Sequence, residues 1–295
     1  MISPARLFFR RALHPRAHTT FWLGAHKTGT TFLQKTLWES RAALAAHGVG
    51  YEELEAGRNR FIRPLLSPDS FVGPLAPGSL FTHGAKQTLV FDENIIGLVQ
   101  QALSTERLYP LAIDRLNRFV AHTGLEPDEI VFGIRSFDGY LPSLYCETLK
   151  ATPFKPFHRF IRRLPAEPSW TELIQRLQTR FPRAQMRVYQ YEALRGNETQ
   201  LLSRVLPLAP DEFTLHQSDE RPGFSQAAID RLEKLHKKGE VTRPMVSRAV
   251  RNNPKGPDNP AYYPWKPKRA AALRALYARD IAKLQRMAHV RMIEL

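Results

Sequence analysis

The fold is decided by residues 20–37, which read Thr-Phe-Trp-Leu-Gly-Ala-His-Lys-Thr-Gly-Thr-Thr-Phe-Leu-Gln-Lys-Thr-Leu. A β-branched and aromatic run, Thr19 to Leu23, predicts a buried strand. Gly24 and Gly29 predict a loop after it, and an amphipathic helix begins at Thr30. Such a strand, loop and helix N-terminus form a cradle for an anion, because backbone N–H groups point into the loop and the helix dipole adds partial positive charge.

The loop departs from the ATP-binding Walker A motif, G-x-x-x-x-G-K-[ST]. Gly24 and Gly29 have the spacing of that motif, but Thr30 stands where the motif has its lysine. A lysine lies instead two residues before the second glycine, at Lys27. The sequence therefore predicts an anion site that differs from an ATP loop, with an unused glycine turn as the alternative.

Residues 27–32, Lys-Thr-Gly-Thr-Thr-Phe, resemble the K-[ST]-G-T-T-[WF] loop of sulfotransferases. That family uses 3′-phosphoadenosine-5′-phosphosulfate (PAPS), and the resemblance implies that the loop holds the 5′-phosphosulfate. An aromatic residue at the position of Phe32 often lies against the adenine in that family, although Phe32 could equally belong to the core. The resemblance implies nucleotide-binding roles for Gly24, His26, Lys27, Thr28, Gly29, Thr30, Thr31 and Phe32.

Apolar runs that alternate with helical patterns predict an α/β fold with a central parallel sheet flanked by helices. The resemblance adds the expectation of the P-loop NTPase-like sulfotransferase fold. We expect one domain, residues 19–295, after a basic lead-in, residues 1–18. Residues 48–87 read as long loops with short helical pieces, and residues 248–268 read as an irregular loop. Further strands are predicted at 88–91, 130–134 and 184–189, and helices at 95–103, 109–122, 170–181, 225–238 and 268–289.

Arg135 ends the third predicted strand, and Ser143 follows eight positions later, where we expect the next helix to begin. The planar fork of an arginine and a hydroxyl at a helix N-terminus both suit a phosphate. Sulfotransferases are similar here, and the resemblance implies that these two residues bind the 3′-phosphate of PAPS. Tyr191, after the fourth strand, resembles a family tyrosine near the adenine, although it could equally serve packing.

The C-terminal region departs from the family pattern. Cytosolic sulfotransferases complete the 3′-phosphate site with an R-K-G-x-x-G motif, whereas this chain has only Arg251 and Lys255-Gly256 in a proline-rich setting. The resemblance therefore covers residues 20–195 and is closest to the divergent bacterial branch of the family.

Two side chains are expected to carry the chemistry that the resemblance implies. Lys27 would neutralise charge on the oxygen of the leaving 5′-phosphate. The base of the family, a His or a Glu, follows the strand after the loop, and Glu93 occupies that place, with Asp92 and His83 as alternatives. Cys146 is expected to be a small buried residue. No cluster with metal-ligand spacing is visible, and sulfuryl transfer needs no metal.

Composition limits the partners without choosing among them. The 295 residues carry a formal net charge of +15, which indicates an anionic ligand, an acidic substrate, nucleic acid or a membrane surface. We expect a small-molecule or glycan acceptor, no nucleic-acid partner and no membrane insertion; the oligomeric state stays open. The single cysteine and the lack of a secretory signal favour the cytoplasm. A phosphotransferase that uses ATP and Mg²⁺ is the alternative, because residues 89–92, Leu-Val-Phe-Asp, approach a metal-binding strand.

Overall fold

A computed structural model describes residues 17–66, 73–75, 84–217 and 223–295. Within these ranges six strands, all parallel, form one sheet in the order β2-β3-β1-β4-β5-β6. The α/β class and the central parallel sheet predicted from the sequence are confirmed. The strands are β1 (His18–Trp22), β2 (Val49–Tyr51), β3 (Gln87–Phe91), β4 (Glu129–Ile134), β5 (Gln185–Gln190) and β6 (Val290–Met292).

Helices cover both faces of the sheet, as parallel strands require. Phe21 and Trp22 of β1 are both completely buried, and because neighbouring residues point to opposite faces they enter different cores. No helix among the described residues is long and apolar enough to cross a membrane. The helices are α1 (Thr30–Glu39), α2 (Arg41–Ala46), α3 (Leu54–Gly57), α4 (Ala112–Thr123), α5 (Phe137–Thr148), α6 (Phe157–Phe160), α7 (Trp170–Arg180), α8 (Glu198–Val205), α9 (Gln226–His236), α10 (Arg243–Asn252) and α11 (Pro267–Leu284).

Parts of the sequence interpretation were wrong. Residues 95–103, expected as a helix, contain the short 3₁₀ turns Glu93–Ile96 and Val99–Gln101, which Gly97 separates at a φ of 148°. The stretch 248–268, expected as irregular, begins with the second half of α10. The stretch 48–87 contains β2.

Helix α5 begins earlier than the sequence suggested, and Ser143 therefore lies inside it rather than at its N-terminus. The carbonyl of Ser136 accepts the first helical bond, from the amide of Tyr140 at 2.7 Å. Pro142 has no N–H to donate to the carbonyl of Asp138, one turn earlier. That carbonyl instead accepts a bond from the indole Nε1 of Trp265 at 2.8 Å. The helix continues through its proline because a distant tryptophan replaces the missing donor.

A buried carboxylate joins the closing helix to the start of α7. Asp280 of α11 is 3% exposed and accepts bonds from the hydroxyl of Ser169 at 2.7 Å and the amide of Trp170 at 2.6 Å. The indole Nε1 of Trp170 donates in turn to the carbonyl of Arg135, at the end of β4, at 2.8 Å. Helices α7 and α11 are thereby tied to the edge of the sheet where the functional residues lie.

Asp280→Ala is expected to lower the free energy of unfolding by about 1–3 kcal/mol, because it leaves the half-buried Ser169 hydroxyl and the buried Trp170 amide without their acceptor. Urea unfolding followed by circular dichroism measures the change. Glu167→Ala is the control, since Glu167 pairs with Arg279 on the surface and should contribute less than about 1 kcal/mol. Equal losses in the two variants would contradict the capping role of Asp280.

Candidate functional site

A cavity of about 630 Å³ lies beyond the carboxyl ends of β1, β3 and β4. Strand β1 is central, with β3 on one side and β4 on the other, so the chain leaves it at the point where the strand order reverses. Open parallel sheets bind ligands at such switch points. The walls of the cavity come from the loop after β1, the start of α1, the turn after β3, one face of α5 and residues 223–263.

The loop after β1 has the backbone that its glycines predict. Gly24 and Gly29 have φ angles of 53° and 83°, in the left-handed region that favours glycine. A Cβ at Gly29 would lie 2.6 Å from a methyl carbon of Leu194. Lys27 adopts a φ of 66°, which is costly for a residue with a side chain and is typical of functional sites.

The N-terminus of α1 faces this loop with unused donors. The N-cap residue Gly29 has no side chain to accept a bond from the first turn. The amides of Gly29, Thr30 and Thr31 donate no hydrogen bond within the part of the chain that the structure describes. These three residues line the cavity. Open amides at the positive end of a helix make this wall of the cavity suitable for an anion.

Lys27 is held by an acidic residue across the cavity. Its Nζ lies 2.9 Å from Oε2 of Glu147, and Nζ of Lys150 lies 2.9 Å from the same oxygen. Burial opposes ionisation of Glu147, but the two lysines outweigh it and lower the pKa of Glu147 to about 2. Glu147 is therefore a carboxylate at neutral pH and Lys27 is its ion-pair partner.

Arg135 lies in the cavity without such a partner. Among the described residues no carboxylate oxygen comes within 4.0 Å of its guanidinium. The guanidinium donates to the carbonyl of Lys27 at 2.9 Å and lies 4.4 Å from the ring centroid of Tyr191. Gly139 of α5 lies beside it, and a Cβ there would be in contact with its Nε at 3.4 Å. A half-buried cation with free donors is suited to an anionic ligand.

Ser143 reaches the same cavity from the middle of α5. The residues of this helix that line the cavity recur every three or four positions, as expected for one face. They are Gly139, Pro142, Ser143, Cys146 and Glu147. Ser143 thus lines the same cavity as Arg135, but it does so from inside the helix and not from the helix N-terminus that the sequence suggested. Burial raises the pKa of Cys146 to about 12, so its thiol stays protonated.

Glu93 lines the cavity from the turn after β3 and is 6% exposed. Its Oε1 accepts from Nη2 of Arg58 at 3.1 Å, and its Oε2 accepts from the side-chain amide of Gln34 at 3.3 Å. Asp92 also accepts from Arg58, at 2.8 Å, but it lines a separate cavity of about 30 Å³. Of these two acids only Glu93 faces the main cavity; His83 lies outside the described residues.

His26 lines the cavity as a neutral side chain. Burial lowers the pKa of His26 to about 4. Its Nδ1 lies 2.9 Å from the hydroxyl of Tyr109, which also accepts a bond from the backbone amide of His26 at 2.8 Å. The hydroxyl of Tyr140 lies 3.1 Å from that of Tyr109. Through these contacts the two buried tyrosines fix the position of the loop after β1.

Two predicted site residues do not line the cavity. Thr28 is completely buried; its hydroxyl donates to the carbonyl of Ala25 at 2.6 Å, and its own carbonyl accepts from Tyr189. Gly24 also lies outside the lining and shapes the turn, since a Cβ there would lie 2.9 Å from a methyl carbon of Thr30. The predicted residues that the cavity brings together are His26, Lys27, Gly29, Thr30, Thr31, Phe32, Glu93, Arg135, Ser143 and Tyr191.

Sequence reasoning missed several residues of the cavity wall. Arg58 lies on a π-helical turn, Arg58–Ile62, in a stretch without a clear pattern. Glu147 could have been found, because it lies four residues after Ser143 on the same helix. Asn94 and Lys150 were also missed.

The C-terminal region closes the cavity on the side of α5. Lys255 lines it and lies across Gly223, where a Cβ would be 2.8 Å from its Nζ. The hydroxyl of Tyr263 donates to the carboxylate of Asp138 at 2.8 Å and thereby fixes the region on α5. Arg251, the other basic residue considered from the sequence, is not part of the lining.

Known proteins do not add to this description. No protein-family model matches the chain, and a comparison with curated proteins finds no similar sequence. Among the described residues, no three His, Cys, Asp or Glu side chains are grouped closely enough to hold a metal ion. Conclusions about function therefore rest on the geometry of the cavity.

Proposed function

We propose that this protein is a sulfotransferase that moves a sulfuryl group from PAPS to a hydroxyl or amine. One observation carries the proposal. The loop with Lys27, the guanidinium of Arg135 and the carboxylate of Glu93 all line one cavity at the switch point of the sheet. Two anion sites and a base are the groups that this transfer needs.

The residues of the cavity fit the donor. Its volume of about 630 Å³ is in the range of small-molecule sites. Arg135 and Ser143 would bind the 3′-phosphate, and the open amides at residues 29–31, with Lys27, would bind the 5′-phosphosulfate. Tyr191 and Phe32 supply aromatic surface for the adenine. Neither Arg135 nor Lys255 has a carboxylate partner among the described residues, so both have positive charge available for this tetra-anionic donor.

The transfer itself is an in-line displacement. The acceptor oxygen or nitrogen forms a bond to sulfur, the bond from sulfur to the phosphate oxygen breaks, and 3′,5′-ADP leaves. Glu93 takes the proton of the acceptor, and Lys27 stabilises the charge that builds on the leaving oxygen. The hydrogen bonds from Arg58 and Gln34 hold the carboxylate of Glu93 in one orientation for this step.

Phosphoryl transfer from ATP and Mg²⁺ has less support. In that reaction Asp92 would hold the metal, but its side chain pairs with Arg58 and lines the separate small cavity. The lysine of the Walker A motif is also absent after Gly29.

Calorimetry of the purified protein with 3′,5′-ADP and, separately, with ATP and Mg²⁺ tests the proposal. We expect 3′,5′-ADP to bind without metal and more tightly than ATP with Mg²⁺. A preference for ATP with Mg²⁺ over 3′,5′-ADP would move the protein to the phosphotransferases.

Arg135→Ala is expected to weaken binding of 3′,5′-ADP by about 10- to 100-fold, because it removes charge-assisted hydrogen bonds to the 3′-phosphate. Arg183→Ala is the matched control, since Arg183 is exposed and precedes β5, at the opposite end of the strands from the cavity. The two variants measured by calorimetry should differ by that factor. An equal, small effect of both would show that Arg135 only contributes general positive charge.

A further inference from the structure

Glu147 is an acidic residue in the wall of an otherwise basic cavity. The charged side chains that line the cavity are five cations and two carboxylates, and Glu93, the other carboxylate, is assigned to proton transfer. Glu147 has no such role in the proposed reaction. It instead lies 2.9 Å from Nζ of Lys27, the cation that the proposed function places at the reacting group.

Any anion that binds Lys27 must share it with this carboxylate. The side chain of Glu147 is 26% exposed and that of Lys27 is 33% exposed, so the pair is open to the cavity and accessible to a ligand. Lys150 also bonds Oε2 of Glu147 at 2.9 Å and can keep the carboxylate in place when Lys27 turns to a ligand. A carboxylate, paired then with Lys150 alone, therefore stays beside the ligand group at Lys27.

We propose that Glu147 is a specificity-determining residue that favours a nucleotide ending in a sulfuryl group over the same nucleotide ending in a phosphoryl group. The inference rests on the proposed function, because that function places the end of the 5′-phosphosulfate at Lys27. It goes further by giving the physical basis on which the cavity would reject the phosphoryl analogue.

The discrimination comes from charge, since the two groups have nearly the same size and shape. A terminal sulfuryl group carries one negative charge at all physiological pH values. A terminal phosphoryl group loses its second proton near pH 6 and carries close to two charges at pH 7.5. The additional charge is repelled by Glu147, whose own ionisation does not change in this range because Lys27 and Lys150 hold its pKa near 2, against the effect of burial.

The test compares two isosteric ligands, PAPS and 3′-phosphoadenosine-5′-diphosphate, by calorimetry at pH 7.5 without acceptor. The unchanged protein should bind PAPS about tenfold more tightly, the size of effect that one additional charge gives in a partly screened cavity. Glu147→Gln, which keeps the shape and removes the charge, should reduce this ratio to about one, mainly by tightening the diphosphate. Glu147→Asp keeps the charge and should retain most of the preference.

The ratio of two affinities separates a specificity role from a structural one, because damage to the site lowers both affinities together. Glu172→Gln is the control, since Glu172 forms a similar ion pair with Arg176 away from the cavity, and it should leave the ratio unchanged. A ratio in Glu147→Gln equal to that of the unchanged protein would overturn this inference alone. Failure of the unchanged protein to bind either nucleotide would overturn the proposed function and this inference with it.

Discussion

Glu93→Gln is expected to lower the turnover of sulfuryl transfer by about 10²- to 10⁴-fold, the usual contribution of a general base. Affinity for 3′,5′-ADP should stay close to that of the unchanged protein, because the product nucleotide makes its contacts with the loop after β1 and with Arg135. The reason for the loss is that an amide cannot accept the proton of the acceptor.

The hydrogen bonds around Glu93 should largely persist in this variant. Arg58 keeps its bond to Asp92 at 2.8 Å, so no buried cation is left without a partner. Gln34 keeps its bond to the carbonyl of Phe91 at 3.0 Å. The altered side chain has the same shape, and the turn after β3 is capped by Asp92, which accepts from the amide of Asn94.

Single-turnover rates and calorimetric affinities measure the two expectations. Asp92→Asn is the matched variant, because Asp92 pairs with the same arginine but faces the small cavity. We expect a much smaller loss of turnover in Asp92→Asn than in Glu93→Gln, whatever each does to the melting temperature. Normal turnover in Glu93→Gln, or the larger loss in Asp92→Asn, would contradict the assignment of the base.

The centre of the fold could be predicted because its signals are local. Strand β1, its glycine loop and α1 follow one another directly, and the apolar run, Gly24, Gly29 and the helical period each mark one of them. Strands β3 and β4 are buried by helices on both sides and therefore appear as mainly apolar runs, whereas β5 keeps an apolar core, Met186, Val188 and Tyr189, around the half-buried Arg187. The parallel sheet follows from their alternation with helices.

The edges of the sheet could not be predicted, because two three-residue strands have almost no pattern. Strand β2 is Val-Gly-Tyr and β6 is Val-Arg-Met, and each pairs on one side only. The start of α5 was missed for another reason. The helix was expected to begin only at Ser143, but it passes through Pro142, whose missing donor is replaced by the indole of Trp265, more than a hundred residues later, a tertiary contact that local sequence does not contain.

In the candidate site, too, residues with a local sequence signal could be predicted, and residues placed by tertiary structure could not. Lys27, Arg135 and Glu93 each follow a predicted strand, and the carboxyl ends of parallel strands meet at one edge, so their proximity could be expected. Arg58 and Lys255 reach the cavity from segments without a clear sequence pattern, and only the folded chain brings them there.

Lys27→Met is expected to lower turnover by about 10²- to 10³-fold, the effect of removing one preorganised group that stabilises charge in the transition state. Nζ of Lys27 is the only cationic group of the loop after β1, residues 24–31, so no neighbour in that loop can replace it. The methionine keeps the length of the stem, and the left-handed backbone at this position costs about the same for either side chain. Glu147 keeps Lys150 as its partner, so the fold should tolerate the change.

Turnover with saturating donor, together with the affinity for 3′,5′-ADP, distinguishes this role from simple binding. If Lys27 acts mainly on the leaving oxygen, the rate must fall more than the affinity, because the interaction strengthens as the bond to sulfur breaks. Lys35→Met is the matched control, since Lys35 lies on α1, the helix that follows the loop, but lines a neighbouring cavity, 3.3 Å from Nε2 of His216. The Lys35→Met variant should keep the turnover of the unchanged protein. A Lys27→Met variant whose affinity and rate fall by the same factor would make Lys27 a residue that only binds the donor.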